Sequence, residues 1–138
     1  MNYIGKNFLI EKVSALKLSK KYGSPIYCYS YNRLKKNILS LKNNFKSFSP
    51  LLCFSVKSNS NINLLKEIKK LGCGADVVSI GELVVALKAG INVNKIVFSG
   101  VGKTSKEIKY AIEKKILLIN AESKSEILEI EKISRSMN

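Results

Sequence analysis

One pattern recurs through most of this 138-residue sequence, and it constrains the fold more than any other feature. From residue 51 onward, a short apolar run rich in β-branched residues is followed by a polar turn and then by a stretch with helical periodicity. The four runs are LLCFSV, ADVVS, KIVFSG and LLINA, and they begin 21 to 24 residues apart, near Leu51, Ala75, Ile96 and Leu117. This spacing fits one strand plus one crossover helix, and successive units of that kind build a parallel sheet.

Capping signals mark the helix starts independently of the apolar runs. In three units a Ser or Thr is followed three residues later by Glu, a capping-box pattern; the pairs are Ser79 with Glu82, Thr104 with Glu107, and Ser123 with Glu126. The first helix opens instead on the SNSN cluster. It ends at Gly72, and the second ends at Gly90, because glycine suits the left-handed position that follows a helix. The register of strands and helices is therefore well specified.

Ahead of these units, the sequence predicts a helix–strand–helix lead-in. The helices are predicted over residues 11–22 and 32–48, with the short extended segment PIYCYS between them. Four βα units are half of a (β/α)8 TIM barrel, which takes about 250 residues. We therefore expect an α/β fold in which residues 1–138 form a single partial domain, the N-terminal half of such a barrel. The unpaired strand edges of a half barrel are expected to promote association.

The net charge of +14 raises the question of a nucleic-acid partner, and the composition argues against one. Of the 24 basic residues only Arg33 and Arg135 are arginine, and the 22 lysines are spread along every predicted helix. Arginine is preferred for bidentate contacts to phosphates and bases. We therefore expect a solvated, lysine-rich surface and no nucleic acid. The alternative, a basic binding module, predicts a steep loss of nucleic-acid affinity with salt.

Other residue counts exclude several kinds of site. Histidine is absent, which removes every mechanism that needs an imidazole as acid, base or metal ligand. The three cysteines, Cys28, Cys53 and Cys73, have no paired short spacing, so we expect neither disulfides nor a metal site, and a reducing compartment. No signal peptide and no run of about 18 apolar residues is present. These features predict a cytoplasmic protein with no membrane association.

One lysine is distinguished by its position in a strand. In LLCFSVK, alternation places Leu52, Phe54 and Val56 on one face and Cys53, Ser55 and Lys57 on the other. The bulky face suits a covering helix layer. The smaller face would point into a barrel, with Lys57 at the C-terminal rim, where barrel enzymes place their working groups. A partly desolvated amine loses its proton more readily and can attack a carbonyl to give a Schiff base. The alternative is that Lys57 only ends a strand and reaches water.

A second motif, SGVGKTS at residues 99–105, has features of a nucleotide phosphate loop. It follows a strand, opens a helix and ends in Gly-Lys-Thr. A phosphate loop also needs a glycine five positions before Gly102, and that position is Val97. We therefore interpret the stretch as a barrel loop rather than as a nucleotide site.

The sequence also shows a family resemblance. It resembles the N-terminal part of the diaminopimelate decarboxylase family, alanine-racemase-like barrel lyases that depend on pyridoxal 5′-phosphate. The stretches that carry the resemblance are YCYSYNRLKKN, FSVKSNSN, GCGADVVSIGEL, ALKAGI, KIVFSGVGKTSKEI and INAESKSEI, which cover nearly the whole chain. The resemblance implies decarboxylation of meso-2,6-diaminopimelate, a small-molecule amino-acid substrate, to L-lysine in lysine biosynthesis. It also implies that Lys57 holds the cofactor and is displaced by the substrate amine.

The resemblance assigns two acids to the cofactor site. Asp76 stands in an otherwise apolar strand, where an unpaired carboxylate is costly, and the matching family acid lies near the Schiff-base lysine. We hypothesise that Asp76 pairs with Lys57 before the cofactor is loaded; the alternative is a strand-end aspartate exposed to water. Glu82 matches a family acid near the cofactor ring, although its capping-box position already accounts for it.

Several family features have no counterpart in residues 1–138. They are the histidine that stacks on the cofactor, the glycine-rich phosphate turn, the acid that pairs with the pyridine nitrogen, the partner-subunit cysteine and tyrosine, the C-terminal half barrel and the β-domain. We therefore expect a fragment or part of a split enzyme that is inactive alone and needs a homodimer partner or a complementing C-terminal chain. Within the match, Ser55 and Ser58 stand where alanines are frequent, and Ile80 stands where a glycine is frequent.

Two alternatives stay within pyridoxal-phosphate chemistry. One is a non-catalytic pyridoxal-phosphate-binding barrel protein, which does not resemble the GVGKT and NAES stretches. The other is a decarboxylase of a related basic amino acid, ornithine or arginine. The groups that choose between these substrates lie outside the matched stretch, so the substrate rests on the resemblance alone.

Overall fold

The computed structural model describes residues 2–137 and divides into two compact units. The N-terminal unit is Met1–Lys46 and the sheet unit is Ser47–Asn138. The expectation that residues 1–138 form one partial barrel domain stays a prediction. Within residues 2–137, none of the helices has both the length and the apolar character needed to cross a membrane.

The N-terminal unit begins with a small antiparallel sheet. Strand β1 (Asn2–Ile4) pairs with β2 (Asn7–Ile10), and β2 pairs with β3 (Val13–Ser14). Helix α1 (Ala15–Tyr22) contacts β2 and β3. Helix α2 (Tyr31–Asn44) follows, and next in the chain is a 3₁₀ turn at Lys46–Phe48.

The predicted lead-in is wrong in its first part. Residues 11–14 were expected to be helical, but they form a turn and strand β3, and the helix begins at Ala15. Glu11 has a left-handed φ of 58°. Its carboxylate accepts hydrogen bonds from Ser30 Oγ (2.6 Å), Asn32 N (2.9 Å) and Asn32 Nδ2 (3.1 Å), at the start of α2. This distant contact outweighs local helix propensity. The PIYCYS segment forms no strand, and α2 ends four residues earlier than predicted, giving way to the 3₁₀ turn.

The sheet unit contains the four predicted βα units. Strands β4 (Cys53–Ser55), β5 (Gly74–Val77), β6 (Ile96–Phe98) and β7 (Leu118–Ile119) form one parallel sheet in that order. The strands are followed in turn by helices α3 (Ile62–Lys70), α4 (Ile80–Lys88), α5 (Ser105–Glu113) and α6 (Lys124–Ser136). Short 3₁₀ turns lie at Val56–Ser58, after β4, and at Val93–Lys95, before β6. The prediction of a parallel α/β sheet with four βα units is confirmed.

The helices cover one face of this sheet. Core side chains from the strands and helices are Ala75, Val77, Ile96, Phe98, Leu65, Leu83, Ala86 and Ala111, all fully buried. Each large apolar side chain buried in this way contributes about 1.5–3 kcal/mol to folding. On the opposite face, four residues stand next to one another across the four strands, and none of them is buried. They are Ser55, Asp76, Val97 and Leu118. The predicted division of LLCFSVK is confirmed, because Val56 is fully buried and Phe54 packs against the core.

The helix starts follow the capping signals, with one difference. The hydroxyls of the three N-cap residues accept from the third helical amide as predicted; these residues are Ser79, Thr104 and Ser123. Within residues 2–137, only Thr104 and Glu107 form the complete capping box. In the other two cases the carboxylate accepts from the amide one residue before the cap, Glu82 from Val78 (3.0 Å) and Glu126 from Glu122 (2.6 Å).

Carboxylates also join the starts of α4 and α5 to the helix that follows each of them in the chain. Glu107 Oε1 on α5 accepts from the backbone amide of Ile80, the first residue of α4, at 3.0 Å. Glu129 Oε1 on α6 accepts from Ser105 Oγ, on the first residue of α5, at 2.7 Å. The second, third and fourth βα units are therefore linked through the starts of α4 and α5.

Three helices of the sheet unit end on a left-handed residue. The positions are Gly72 (φ 74°) after α3, Gly90 (φ 80°) after α4 and Lys115 (φ 51°) after α5. In each case the next amide donates back to the last turn in a Schellman arrangement. The two glycines confirm the predicted helix ends. Lys115 occupies a conformation in which a Cβ is unfavourable.

Candidate functional site

Lys57 lies just past the carboxyl end of β4, on the 3₁₀ turn Val56–Ser58. The fully buried side chain of Val56 anchors the turn to the core, and Ser58 Oγ closes it by donating to Ser55 O at 2.7 Å. The turn contacts β5 and α4. The side chain of Lys57 is exposed, and its amine has no hydrogen bond or ion pair with any residue in the range 2–137.

The rim position predicted for Lys57 is therefore present, but the expected partial desolvation is not. Because Val56 points into the core, the residue after it points away from the core, and no described side chain covers it. The Lys57 amine is therefore exposed, and no described residue competes for it with a ligand.

Asp76 lies within β5, on the sheet face opposite the helices. Ser55 is its partner across the parallel strands, and Ser55 Oγ donates to Asp76 Oδ2 at 2.9 Å. The other oxygen, Oδ1, is buried and has no hydrogen-bond partner among the described residues. A buried acceptor without a donor costs free energy, so Oδ1 can accept from a donor that arrives on this face.

Neither arrangement expected for Asp76 is observed. Within residues 2–137 no ion pair joins Asp76 to Lys57, and the carboxylate is bound to Ser55 through Oδ2. Asp76 is also not an exposed strand-end group, since it is half-buried and the strand continues to Val77. A role for Asp76 in cofactor binding stays a prediction.

Glu82 lies in the first turn of α4 and closes the loop between β5 and that helix. Its Oε2 accepts from Val78 N at 3.0 Å, and its own amide donates to Ser79 Oγ at 3.2 Å. The side chain is half-buried. These contacts agree with the capping interpretation, shifted by one residue, and a cofactor role for Glu82 stays a prediction.

Cys53 lies on the same face of the sheet as Asp76, and its thiol is half-buried. Burial raises the pKa of the Cys53 thiol, and the nearby Asp76 and Cys73 raise it further. No cation among the described residues is paired with Asp76. The unpaired Oδ1 of Asp76 can therefore accept a hydrogen bond from a group that carries a proton on nitrogen.

Two contacts at the carboxyl edge of the sheet were not found by sequence reasoning. Asn120 Nδ2 donates to Ser99 Oγ at 2.9 Å, which joins the residues that follow β7 and β6. The second contact is made by Lys103, in the SGVGKTS stretch. Its Nζ donates to Gly100 O and Asn120 O, both at 2.7 Å, and pairs with Glu126 Oε1 at 2.9 Å.

The Lys103 side chain is 1% exposed, so its ammonium is fully committed to holding these two loops. The arrangement agrees with the barrel-loop interpretation of SGVGKTS, because no charge remains for a phosphate. The lysine itself was visible in the motif. Its carboxylate partner lies 23 residues later, and no local pattern indicated it.

Comparison with known proteins identifies the family. Residues 31–138 match the family model described as pyridoxal-dependent decarboxylase, pyridoxal binding domain. The chain belongs to the pyridoxal-dependent decarboxylase family. Among curated members of this family, the diaminopimelate decarboxylase of Helicobacter pylori is 46% identical over 120 residues, which cover 87% of this chain and 30% of that protein.

Solved structures of decarboxylases in this family have the same fold. The chain is similar to the diaminopimelate decarboxylase of M. jannaschii, with a TM-score of 0.93 and 34% identity over 98% of this chain and 33% of that one. It is also similar to the Helicobacter pylori diaminopimelate decarboxylase complexed with L-lysine, with a TM-score of 0.85 and 43% identity over 88% of this chain and 31% of that one. The resemblance and the partial, N-terminal barrel fold are confirmed, and the chain spans about 30% of the length of the curated relatives.

Proposed function

We propose that this chain is the cofactor-binding N-terminal part of a diaminopimelate decarboxylase that converts meso-2,6-diaminopimelate to L-lysine. The observation that carries the proposal is the exposed, unpaired amine of Lys57 at the carboxyl edge of the sheet, next to a face that holds an unsatisfied acceptor, Asp76 Oδ1. The substrate is supported by the 46% identity to a diaminopimelate decarboxylase.

The residues on this face fit pyridoxal 5′-phosphate. The cofactor carries an aldehyde, and an amine that is free of hydrogen bonds and ion pairs is the group that combines with an aldehyde. The buried oxygen of Asp76 lacks a donor, which a protonated nitrogen at this position would supply. When bound, the cofactor supplies the electron sink for decarboxylation.

The chain's own residues have separate tasks in this proposal. Lys57 would hold the cofactor through Nζ. Asp76 would hold the proton on that nitrogen whenever the amine is released, as the hypothesis of an Asp76–Lys57 pair requires. Glu82 would fix the loop between β5 and α4 through the amide of Val78. Val56 keeps Lys57 at the edge of the sheet by anchoring its turn in the core.

The proposed substrate is an amino acid, and the related Helicobacter pylori enzyme is complexed with an amino acid, L-lysine. The proposed protein partners are a second copy of the chain or a complementing C-terminal chain, since the relatives are about three times as long. We propose a cytoplasmic setting for this reaction.

Trapping the cofactor tests the proposal. The purified chain is incubated with pyridoxal phosphate, reduced with borohydride, digested, and analysed by mass spectrometry of the peptides. We expect Lys57 to be labelled in preference to the other lysines. Lys57→Ala should remove that label, whereas the matched control Lys106→Ala, at an exposed site on α5, should leave it unchanged. Labelling spread evenly over the exposed lysines would refute the assignment.

Co-expression tests the proposed activity. Adding the C-terminal part of a relative should yield lysine from diaminopimelate, and Lys57→Ala should abolish that product. Specific labelling of Lys57 without decarboxylation in the complemented enzyme would support a pyridoxal-phosphate-binding protein that is not a decarboxylase.

A further inference from the structure

The Asp76 carboxylate is held from one side only. Within residues 2–137, Ser55 Oγ is its single hydrogen-bond donor, at 2.9 Å to Oδ2. The second oxygen, Oδ1, is out of contact with solvent and has no partner. One half of the carboxylate is therefore satisfied by Ser55, and the other half has no donor among the described residues.

Sheet geometry fixes the Ser55–Asp76 contact. The two residues are partners on adjacent parallel strands, so their side chains stand on the same face of the sheet. The backbone of Ser55 is also tied to the turn that carries Lys57, because its carbonyl accepts from Ser58 Oγ at 2.7 Å. Ser55 therefore connects the acid and the lysine through one short segment.

We propose that Ser55 is a positioning residue, which holds Asp76 by Oδ2 so that Oδ1 stays available to the nitrogen of Lys57. This inference rests on the proposed function, because it assigns Ser55 to the same cofactor site. Without the hydroxyl, the carboxylate can rotate and both of its oxygens need new donors. The carboxylate must then become ordered when the cofactor binds, and the free energy that this costs weakens cofactor binding.

A cofactor-free measurement tests the contact itself. Asp76 is the only aspartate in the sequence, so a chain labelled with [4-¹³C]aspartate gives a single side-chain carboxyl resonance. We expect Ser55→Ala to move this resonance and Ser55→Thr, which keeps a hydroxyl, to restore it. The matched control is Ser99→Ala, since Ser99 Oγ is bound to Asn120 rather than to a carboxylate, and it should leave the resonance in place.

Cofactor titration tests the role. The pyridoxal-phosphate concentration that gives half-maximal borohydride trapping on Lys57 should rise roughly three- to tenfold in Ser55→Ala, the loss expected for one intramolecular hydrogen bond of ordinary strength. Ser55→Thr should restore the original value. In an Asp76→Asn background, Ser55→Ala should have little further effect, because the two residues then act through one contact. If circular dichroism shows that Ser55→Ala is unfolded, Ser55→Cys, which has a similar shape and is a weak donor, replaces it.

The possible outcomes separate the two proposals. If Lys57 is trapped equally well in the original chain and in Ser55→Ala, the positioning role is wrong and the proposed function stands. If Ser55→Ala has its full effect in the Asp76→Asn background, Ser55 does not act through Asp76 and the inference is overturned. If the original chain is not trapped at Lys57, the proposed function fails, and the inference fails with it.

Discussion

Replacing Lys103 with methionine removes one buried charge and leaves three acceptors without a donor. These are Gly100 O and Asn120 O, both 2.7 Å from Nζ, and Glu126 Oε1 at 2.9 Å. Breaking a buried ion pair by removing one partner costs about 3–5 kcal/mol. The Glu126 side chain is 9% exposed, so the Oε1 that loses Lys103 can reach water. The other oxygen, Oε2, keeps the hydrogen bond from the Glu122 amide. We therefore expect the lower end, about 3 kcal/mol of unfolding free energy.

The assay is urea unfolding at neutral pH followed by circular dichroism, with Lys106→Met as control. Lys106 is exposed in the first turn of α5, three residues after Lys103, so its replacement should change the unfolding free energy by less than about 0.5 kcal/mol. A loss for Lys103→Met as small as that of the control would refute the reasoning, because it would mean that the buried ammonium contributes nothing net.

Acid provides a second check on the same ion pair. Burial raises the pKa of Glu126, but the Glu122 amide and Lys103 outweigh it, so that the folded pKa lies below its ordinary value of 4.5. The stabilisation is therefore complete above that value and is lost as the pH falls through the folded pKa. The difference between the original chain and Lys103→Met should shrink over the same acid range.

Three further predictions concern other parts of the sheet unit. A Cβ on Gly74 would lie 2.0 Å from the backbone oxygen of Lys95, so Gly74→Ala should cost about 3 kcal/mol, and an unchanged melting temperature in calorimetry would contradict this. The pKa of Glu107 is lowered chiefly by the amide at the N-cap of α5, so its stabilisation is present above the ordinary value of 4.5 and is lost in acid. Glu107→Gln should make the acid decline of stability less steep in denaturation measured at a series of pH values, and an equally steep decline would count against the assignment. Lys115 is left-handed, so Lys115→Gly should stabilise the chain by about 0.5 kcal/mol, whereas Gly at the right-handed neighbour Lys114 should destabilise it by a similar amount. Equal effects in urea unfolding would rule out backbone strain.

The four βα units could be predicted because their signals are local. Apolar runs, N-cap residues and the glycines at 72 and 90 each act within a few residues of the chain. The antiparallel sheet at the start could not be predicted in the same way, because its strands have two to four residues and carry no clear alternation. The contact that stops residues 11–14 from being helical joins Glu11 to residues 19 and 21 positions away.

The candidate site was predictable in its position and not in its contacts. Strand alternation placed Lys57 at the carboxyl edge of the sheet and Ser55 on the face away from the core, and the structure has both residues there. The bond from Ser55 to Asp76 depends on which residues of β4 and β5 stand opposite each other, and the sequence does not state that register. The 3₁₀ turn that leaves Lys57 exposed arises from the anchoring of Val56, which is a property of the assembled core.

The carboxylates that bind the starts of α4 and α5 also set the order in which parts of the sheet unit can be completed. The amide of Ile80 at the start of α4 is bound to Glu107, 27 residues downstream, and Ser105 at the start of α5 is bound to Glu129, 24 residues downstream. During synthesis on a ribosome, these two helix starts are therefore completed only after the following unit has emerged. In the folded chain, local opening of α5 should expose the Ile80 amide to hydrogen exchange even while α4 itself stays helical.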